Sequence, residues 1–188
     1  SQIAFLLAPD APSGDYQLLA GWLRTRSKER VPLVGKGDEA LLATVTVTAR
    51  DHVMVVPRMQ TVLDERLGDD VQLLGYDGDL SVIRPGSSAE LTLYWRALGR
   101  IDVSYSVFVH LVDEQGRIWA QDDHVPAKGD APTTSWLPGE VIADRVLLHV
   151  PANLPGGRYT LLVGLYDGNV RMPLRNGRDA VRLGELAL

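Results

Sequence analysis

Apolar and polar residues alternate with a period of two along most of this 188-residue chain. The stretch AELTLYWRA, residues 89–97, places Leu91, Leu93 and Trp95 on one side of an extended strand and mostly polar residues on the other. Similar runs are separated by Pro-Gly, Asp-Gly and Asn-Gly turn pairs. Helical periodicity is weak, and residues 59–67 allow one turn of helix at most. The pattern predicts an all-β protein, an antiparallel β-sandwich of the Greek-key/Ig-like or jelly-roll type.

Two distant segments share one sequence pattern. Residues 12–23, PSGDYQLLAGWL, align without gaps with residues 155–166, PGGRYTLLVGLY, and the two share Pro, Gly, Tyr, Leu, Leu and Gly in order. After a small difference in length, an Arg-x-Pro-Leu motif begins at both Arg30 and Arg171. Chance similarity between two hairpins is the alternative to a duplication.

The repeated pattern predicts two domains. Residues 71–188 hold about eight predicted strands, enough for a complete sandwich, whereas the first segment matches only the end of such a unit. We therefore predict that residues 1–60 are the C-terminal part of a preceding β-sandwich repeat and residues 61–188 a complete β-sandwich domain. Because a partial sandwich exposes an apolar face and a strand edge, we expect the full domain to cover it, or a second copy in a homodimer formed by strand exchange.

Composition argues against several classes of function. The formal net charge is −5 at pH 7, and basic residues are scattered apart from a small cluster in residues 24–30, so nucleic acid has little to bind. The absence of cysteine removes thiol catalysis, cysteine-based zinc sites and disulfides. No apolar run approaches the ~18 residues that span a bilayer, and no signal peptide begins the chain. A targeting or membrane region outside these residues is compatible with the abrupt start inside a predicted strand.

A spaced series of motifs carries a family resemblance. The motifs are LLGYD, RPGSSAELTLYWRA, VSYSVFVHLVDEQGRIWAQDD, PTTSWLPGEVIADRVLLHVP and PGGRYTLLVGLYD. The series resembles the β-sandwich modules attached to bacterial multi-spanning membrane proteins of the mannosyltransferase-like, lipid-linked-sugar glycosyltransferase type. It covers residues 71–188, and residues 3–48 in part.

The resemblance implies an extracytoplasmic module, periplasmic or at the cell surface, tethered to the membrane through another part of its parent protein. The catalytic carboxylates of that family belong to the membrane part. The resemblance therefore implies no catalytic residue and no cofactor in this chain.

The region 119–144 is the most distinctive loop-rich stretch. Its candidate binding residues are Trp119, Asp122, Asp123, His124, Trp136 and Asp144. The carboxylates and the imidazole are possible ligands of a cation, and the indole rings are possible stacking partners for a sugar. The spacing does not fit a calcium loop, so no metal site is predicted. The alternative is that Trp136 anchors the loop on the sandwich while aspartates accept backbone N–H bonds.

Two tyrosines and a histidine complete the candidates. Tyr94, on the strand face opposite Trp95, and Tyr166 are candidate contact residues, since a sugar site needs an exposed ring above a polar groove. For His110 we favour a buried imidazole bonded to an aspartate such as Asp123 over a general base, because no nucleophile or orienting acid accompanies it.

Three functions follow from these observations. The first is a non-catalytic spacer or recognition module for a glycan or cell-envelope polymer. The second is a structural or adhesion repeat that binds protein partners. The third is a glycan-active enzyme with Asp122, Asp123 or Asp144 as paired carboxylates, roughly 5–10 Å apart. Neighbouring residues of a strand point to opposite faces, which argues against a pair formed by Asp122 and Asp123.

Overall fold

Antiparallel β-strands make up almost all the regular structure, which confirms the predicted all-β class. The computed structural model describes residues 7–35 and 37–188, and it divides into two compact units, Ser1–Asp51 and His52–Leu188. The domain boundary predicted after residue 60 falls inside the second unit, just before its first strand. No helix among the described residues is long and apolar enough to cross a membrane.

The first unit is built from two strand pairs. Its strands are β1 (Gly14–Ala20), β2 (Trp22–Leu23), β3 (Arg30–Val31) and β4 (Ala40–Val47). β1 pairs with β4 and β2 pairs with β3, both antiparallel.

The second unit is a sandwich of two sheets. The first sheet has the order β10-β7-β6-β5, with strands β5 (Thr61–Leu67), β6 (Val71–Asp77), β7 (Ser88–Ala97) and β10 (Val141–His149). In the second sheet β8 pairs with β9 and β11, and β11 also pairs with β12 and β13. Its strands are β8 (Ser106–Asp113), β9 (Ile118–His124), β11 (Arg158–Asp167), β12 (Val170–Arg171) and β13 (Val181–Ala187).

The core of the second unit lies between its two sheets. Leu93 and Trp95 of β7 and Val109 and Leu161 of the second sheet are all 0% exposed. They belong to one continuous cluster of apolar side chains that draws on both sheets. The alternation of apolar and polar residues thus turns one face of each strand inward and leaves the other for solvent or for a ligand.

Within residues 59–67, where the sequence allows at most a turn of helix, Thr61–Leu67 form β5 instead. The pairing of β5 with β6 shifts between Val62 and Glu65, and Asp64 has a φ of 59°. Such a bulge inserts extra residues into one strand and interrupts the period-two alternation. The interruption explains why the sequence does not indicate a strand at this position.

The two similar segments form hairpins with the same register. Tyr16 lies opposite Val45 in the first unit, and Tyr159 lies opposite Leu186 in the second. Both pairings contain an irregularity at the same place, between Leu18 and Leu19 and between Leu161 and Leu162. Register is fixed residue by residue, so a shared bulge is a stringent form of similarity.

Side-chain contacts repeat as well. The hydroxyl of Tyr16 donates to the carbonyl oxygen of Pro12 at 2.9 Å, and that of Tyr159 donates to Pro155 at 2.7 Å. Further along, the pairs Arg30–Asp38 and Arg171–Asp179 form equivalent ion pairs at 3.7 and 3.3 Å. The two segments therefore share backbone pairing, a local hydrogen bond and a salt bridge.

Candidate functional site

Asp122 and His124 lie at the edge of the second sheet and face the first sheet. The imidazole of His124 contacts Asp122 at 3.1 Å through Nδ1 and Asp144 at 2.9 Å through Nε2. Asp144 belongs to β10 of the first sheet and is 0% exposed. This cluster thus joins strands β9 and β10 across the open side of the sandwich.

Protein groups already bind the carboxylates of this cluster. Lys128 Nζ lies 2.8 Å from both oxygens of Asp122, and the N–H of Leu147 donates to the same carboxylate. The N–H of Ala127 donates to Asp144 at 2.8 Å. Ala127 and Lys128 have φ values of 53° and 55°, a left-handed turn that brings both donors to the cluster.

The charges of the cluster shift two pKa values in opposite directions. Burial raises the pKa of Asp122, but the hydrogen bonds from Lys128 and from the Leu147 N–H outweigh it and leave this pKa below its ordinary value. Burial also lowers the pKa of His124, but the hydrogen bond and charge of Asp144 outweigh that effect and raise it. The hydrogen bond and charge of Asp144 thus favour the protonated form of His124.

No metal centre is found in the part of the chain that the structure describes. Within residues 7–35 and 37–188, no group of three or more His, Asp or Glu side chains is arranged to hold an ion. Lys128 and the Leu147 N–H bind the oxygens of Asp122, and His124 and the Ala127 N–H bind Oδ1 of Asp144. These residues link the two sheets.

Asp123 points away from its neighbour Asp122, as expected for adjacent residues of a strand. It lies on the outer face of the second sheet, 2.9 Å from His110 Nε2. Burial lowers the pKa of His110, and the Arg171 charge acts in the same direction against the opposing effect of Asp123. A neutral His110 that donates from Nε2 to Asp123 has an acceptor at Nδ1, and Arg171 Nη2 lies 3.4 Å from that atom. The predicted pairing of His110 with Asp123 is therefore present.

Tyr166 lines a cleft on this outer face. The guanidinium of Arg171 lies 4.2 Å from the ring centre of Phe108, and the Tyr166 ring lies 6.3 Å from it. Gly164 leaves space for the Phe108 ring, because a Cβ there would come within 2.6 Å of it. The cleft has a volume of about 180 Å³ and is lined by Phe108, His110, Asp123, Tyr166, Gly168, Asn169 and Arg171.

The cleft combines the aromatic rings of Phe108 and Tyr166 with hydrogen-bonding groups of several kinds. Tyr166 supplies a hydroxyl, Asn169 an amide, Arg171 a guanidinium and Asp123 a carboxylate. Among the described residues that line it, no serine, threonine or cysteine accompanies the His110–Asp123 pair. The cleft offers donors and acceptors that could bind a polar ligand.

Tyr94 lies on the outer face of the other sheet. Its hydroxyl donates to Asp77 Oδ2 at 2.8 Å, and this hydrogen bond, with partial burial, raises the Tyr94 pKa. Asp77 contributes to a larger groove of about 470 Å³. Its lining residues are Asp77, Gly78, Glu90, Leu91, Thr92, Lys128, Arg145, Val146 and Leu147, so side chains of both charges line it without an aromatic ring.

The two tryptophans among the candidate binding residues are engaged within the protein. Trp136 is 2% exposed, and its Nε1 donates to the carbonyl oxygen of Ala131 at 2.8 Å. Trp119 is partly buried against the core, its Nε1 donates to Asp113, and the Arg117 guanidinium lies 4.2 Å from its ring centre. Trp136 is thus a core residue that anchors its loop, and Arg117 already covers one face of Trp119.

Sequence reasoning missed Phe108 and Arg171 as parts of the cleft. Phe108 alternates with the core residues Val107 and Val109, and Arg171 begins the repeated Arg-x-Pro-Leu motif. Only the pairing of β8, β11 and β12 brings them beside Tyr166. The repeated Arg-x-Pro-Leu motif could have drawn attention to Arg171, whereas no sequence feature distinguishes Phe108 as a cleft residue.

Comparisons of the chain with protein-family models and with curated proteins find no match. The assignment of function therefore depends on the geometry described above and on the motif resemblance.

Proposed function

We propose that this chain is a non-catalytic β-sandwich module that recognises a glycan or cell-envelope polymer and acts as a spacer in a larger protein. The parent protein would be extracytoplasmic and membrane-tethered, of the glycosyltransferase-like type that the sequence motifs resemble. The observation that carries the recognition role is the cleft in which Tyr166 lies among Asp123, Asn169 and Arg171.

Sugar rings present both an apolar face and hydroxyl groups. A tyrosine ring provides an apolar surface and a polar tip, and the amide, guanidinium and carboxylate around it match hydroxyl donors and acceptors. A cleft of about 180 Å³ is smaller than the ~300–1,000 Å³ of pockets that enclose drug-sized ligands. We therefore expect weak binding of one or two sugar residues, which an array of modules would strengthen through multivalency.

The larger groove beside Tyr94 is a poorer candidate for a neutral glycan. Its four charged side chains, Asp77, Glu90, Lys128 and Arg145, would have to lose part of their hydration without an aromatic surface in return. Tyr94 is also held by Asp77. This difference makes Tyr94 a matched control for Tyr166.

A non-catalytic role agrees with the placement of the carboxylates. Asp122 binds Lys128 and His124 in the edge cluster, whereas Asp123 binds His110 on the outer sheet face. Two carboxylates that flank one glycosidic bond must face the same cleft. We accordingly propose no glycosidase chemistry for the pair formed by Asp122 and Asp123.

The recognition role is tested by probing the full chain on an array of cell-envelope oligosaccharides and measuring the best ligand by NMR titration. We expect Tyr166→Ala to weaken binding about tenfold, as for the loss of roughly 1.4 kcal/mol of aromatic contact. The control Tyr94→Ala should bind like the unchanged protein. A flat array, or equal losses for both variants, would overturn the proposal.

The extracytoplasmic location has a separate test. An antibody against this chain, applied to intact cells of its native host, should detect it at the surface or after permeabilisation of an outer membrane alone. Detection only after lysis of the cytoplasmic membrane would contradict the location and leave the sugar-binding test unaffected.

The second candidate function is a structural or adhesion repeat that binds protein. The observation that favours it is the exposure of large apolar side chains in the first unit, where Trp22 of β2 is 73% and Leu42 of β4 is 62% exposed. Large apolar side chains exposed together mark interaction surfaces.

A further inference from the structure

The hairpin of β1 and β4 has the register of the β11–β13 hairpin but differs from it in burial. In the second unit, Leu165 is 0% and Leu183 8% exposed, because both face the core. The residues at the equivalent positions of the first unit are Trp22 and Leu42, which are 73% and 62% exposed. The same structural motif thus occurs once with its apolar face covered and once with it exposed.

The strand edges differ in the same way. β11 pairs with β13 on one side and with β8 on the other. Among the described residues, β1 pairs with β4 alone. An unpaired edge beside an apolar face is a template for another strand, and a two-stranded hairpin by itself is only marginally stable in water.

We propose that the edge of β1 and β2 that lies away from β4 and β3, together with the exposed apolar side chains beside it, forms a docking site for a donated antiparallel strand of the β8 type. The second unit supplies the template for the contact, because β8 already pairs with the equivalent strand there. In that template the apolar residues of β8 face those of β11 in the pairs Val107–Leu165, Val109–Val163 and Leu111–Leu161.

The template also defines the chemistry of the donor. Transferred to the first unit, a donor strand places apolar side chains opposite Leu18, Ala20 and Trp22. The docked strand gains main-chain hydrogen bonds along the edge of β1 and buries alternate side chains, which is the β-augmentation mode of recognition. The donor is therefore an extended segment with apolar residues at every second position.

A second copy of this chain is a poor donor. Its own β8 is paired on both edges, with β9 and with β11, so it cannot pair with β1 unless its sandwich opens. We therefore assign the donor strand to another sandwich half of the same repeat type. This donor site goes beyond glycan recognition, which is attributed to the second unit.

The test uses the full chain and a synthetic peptide with the sequence of residues 103–114, VSYSVFVHLVDE. Binding should shift the emission of Trp22 to the blue, and the shift should be absent from the Trp22→Phe variant. A peptide carrying Val109→Asp should bind at least about tenfold more weakly, because it places a charge on the buried face.

Two adjacent leucines of β4 provide matched variants. Leu42 lies on the face equivalent to the core, whereas Leu41 occupies the position of the exposed Arg182, and the two are 62% and 57% exposed. Leu42→Glu should weaken peptide binding at least about tenfold, and Leu41→Glu should leave it within about twofold.

Three results would overturn the proposal. One is the absence of a Trp22 shift when the peptide is added to the unchanged chain, and another is an equal effect of the two leucine variants. The third is a Trp22 shift that depends on protein concentration without peptide, since it would identify a second copy as the occupant. If Leu42→Glu prevents the hairpin from folding, the comparison of the two peptides on the unchanged chain still decides the question.

Discussion

At the scale of single residues, the pKa values of His110 and His124 in the second unit are shifted in opposite directions. Asp144 and Asp122 surround His124 and raise its pKa, whereas burial and Arg171 lower that of His110. A histidine that is more basic in the folded state stabilises the fold when protonated, and a less basic one stabilises it when neutral. The cluster that joins β9 to β10 and the cleft beside Tyr166 therefore respond to pH in opposite directions.

The edge cluster makes a prediction about pH. Because the folded-state pKa of His124 is raised, its contribution is fully present below its unfolded value of about 6.5 and is lost as pH rises through the folded value. We expect His124→Gln to destabilise the protein by about 1.5–3 kcal/mol at pH 6 and by less at pH 9. Urea unfolding of both proteins across this range measures the difference.

His110 is present in both the unchanged protein and the His124→Gln variant, so its own effect on the pH dependence of stability cancels when the two are compared. A destabilisation by His124→Gln that stays constant, or grows, between pH 6 and pH 9 would show that the ion pairs with Asp122 and Asp144 do not stabilise the folded state.

Gly164 makes a second prediction at this scale. A Cβ at this position would lie 2.6 Å from the Phe108 ring, so Gly164→Ala should destabilise the second unit by about 1–3 kcal/mol through overpacking. The control is Gly157→Ala, whose Cβ would be 3.8 Å from its nearest neighbour, Tyr159. Equal unfolding midpoints for the two variants would contradict the close approach of Phe108 to the strand.

At the scale of elements, alternation in the sequence predicts the regular strands and fails where the backbone departs from regularity. Strand β7 follows its period-two pattern throughout, whereas the bulge at Asp64 conceals β5. The cleft depends on tertiary pairing, because Phe108 and Tyr166 meet through the register of β8 with β11. The pairing and register of neighbouring strands decide which outer-face residues lie next to each other, and a local sequence pattern does not predict that pairing.

The repeated hairpin allows one substitution to be compared in two settings. Tyr159 is 3% exposed and donates to Pro155, so Tyr159→Phe should destabilise the second unit by about 1 kcal/mol. Tyr16 makes the same bond in a more exposed hairpin, and Tyr16→Phe should leave the unfolding of the second unit unchanged. Chemical denaturation followed by near-ultraviolet circular dichroism measures both, and a larger effect of Tyr16→Phe on this unit would contradict the expectation.

At the scale of the whole molecule, the two units differ in how much of their apolar surface is buried. The second unit buries apolar side chains of both sheets in one continuous core. The first unit has the backbone pairing of a sandwich hairpin, while Trp22, Leu41 and Leu42 are largely exposed. Local opening free energies follow the number of buried apolar contacts, so we expect the first unit to open at a lower free energy than the second.

Hydrogen exchange of the full chain tests this difference. Backbone amides of β7, β8 and β11 should exchange only through global unfolding, with protection that corresponds to about 5–15 kcal/mol. Amides of β1 and β4 should exchange far faster, because a two-stranded hairpin opens readily. Addition of the β8 peptide should slow exchange in β1 and β4 alone, since the donated strand supplies the missing edge and covers Trp22. Uniform protection of both units without peptide would show that the hairpin is already covered, and the need for a donor strand would disappear.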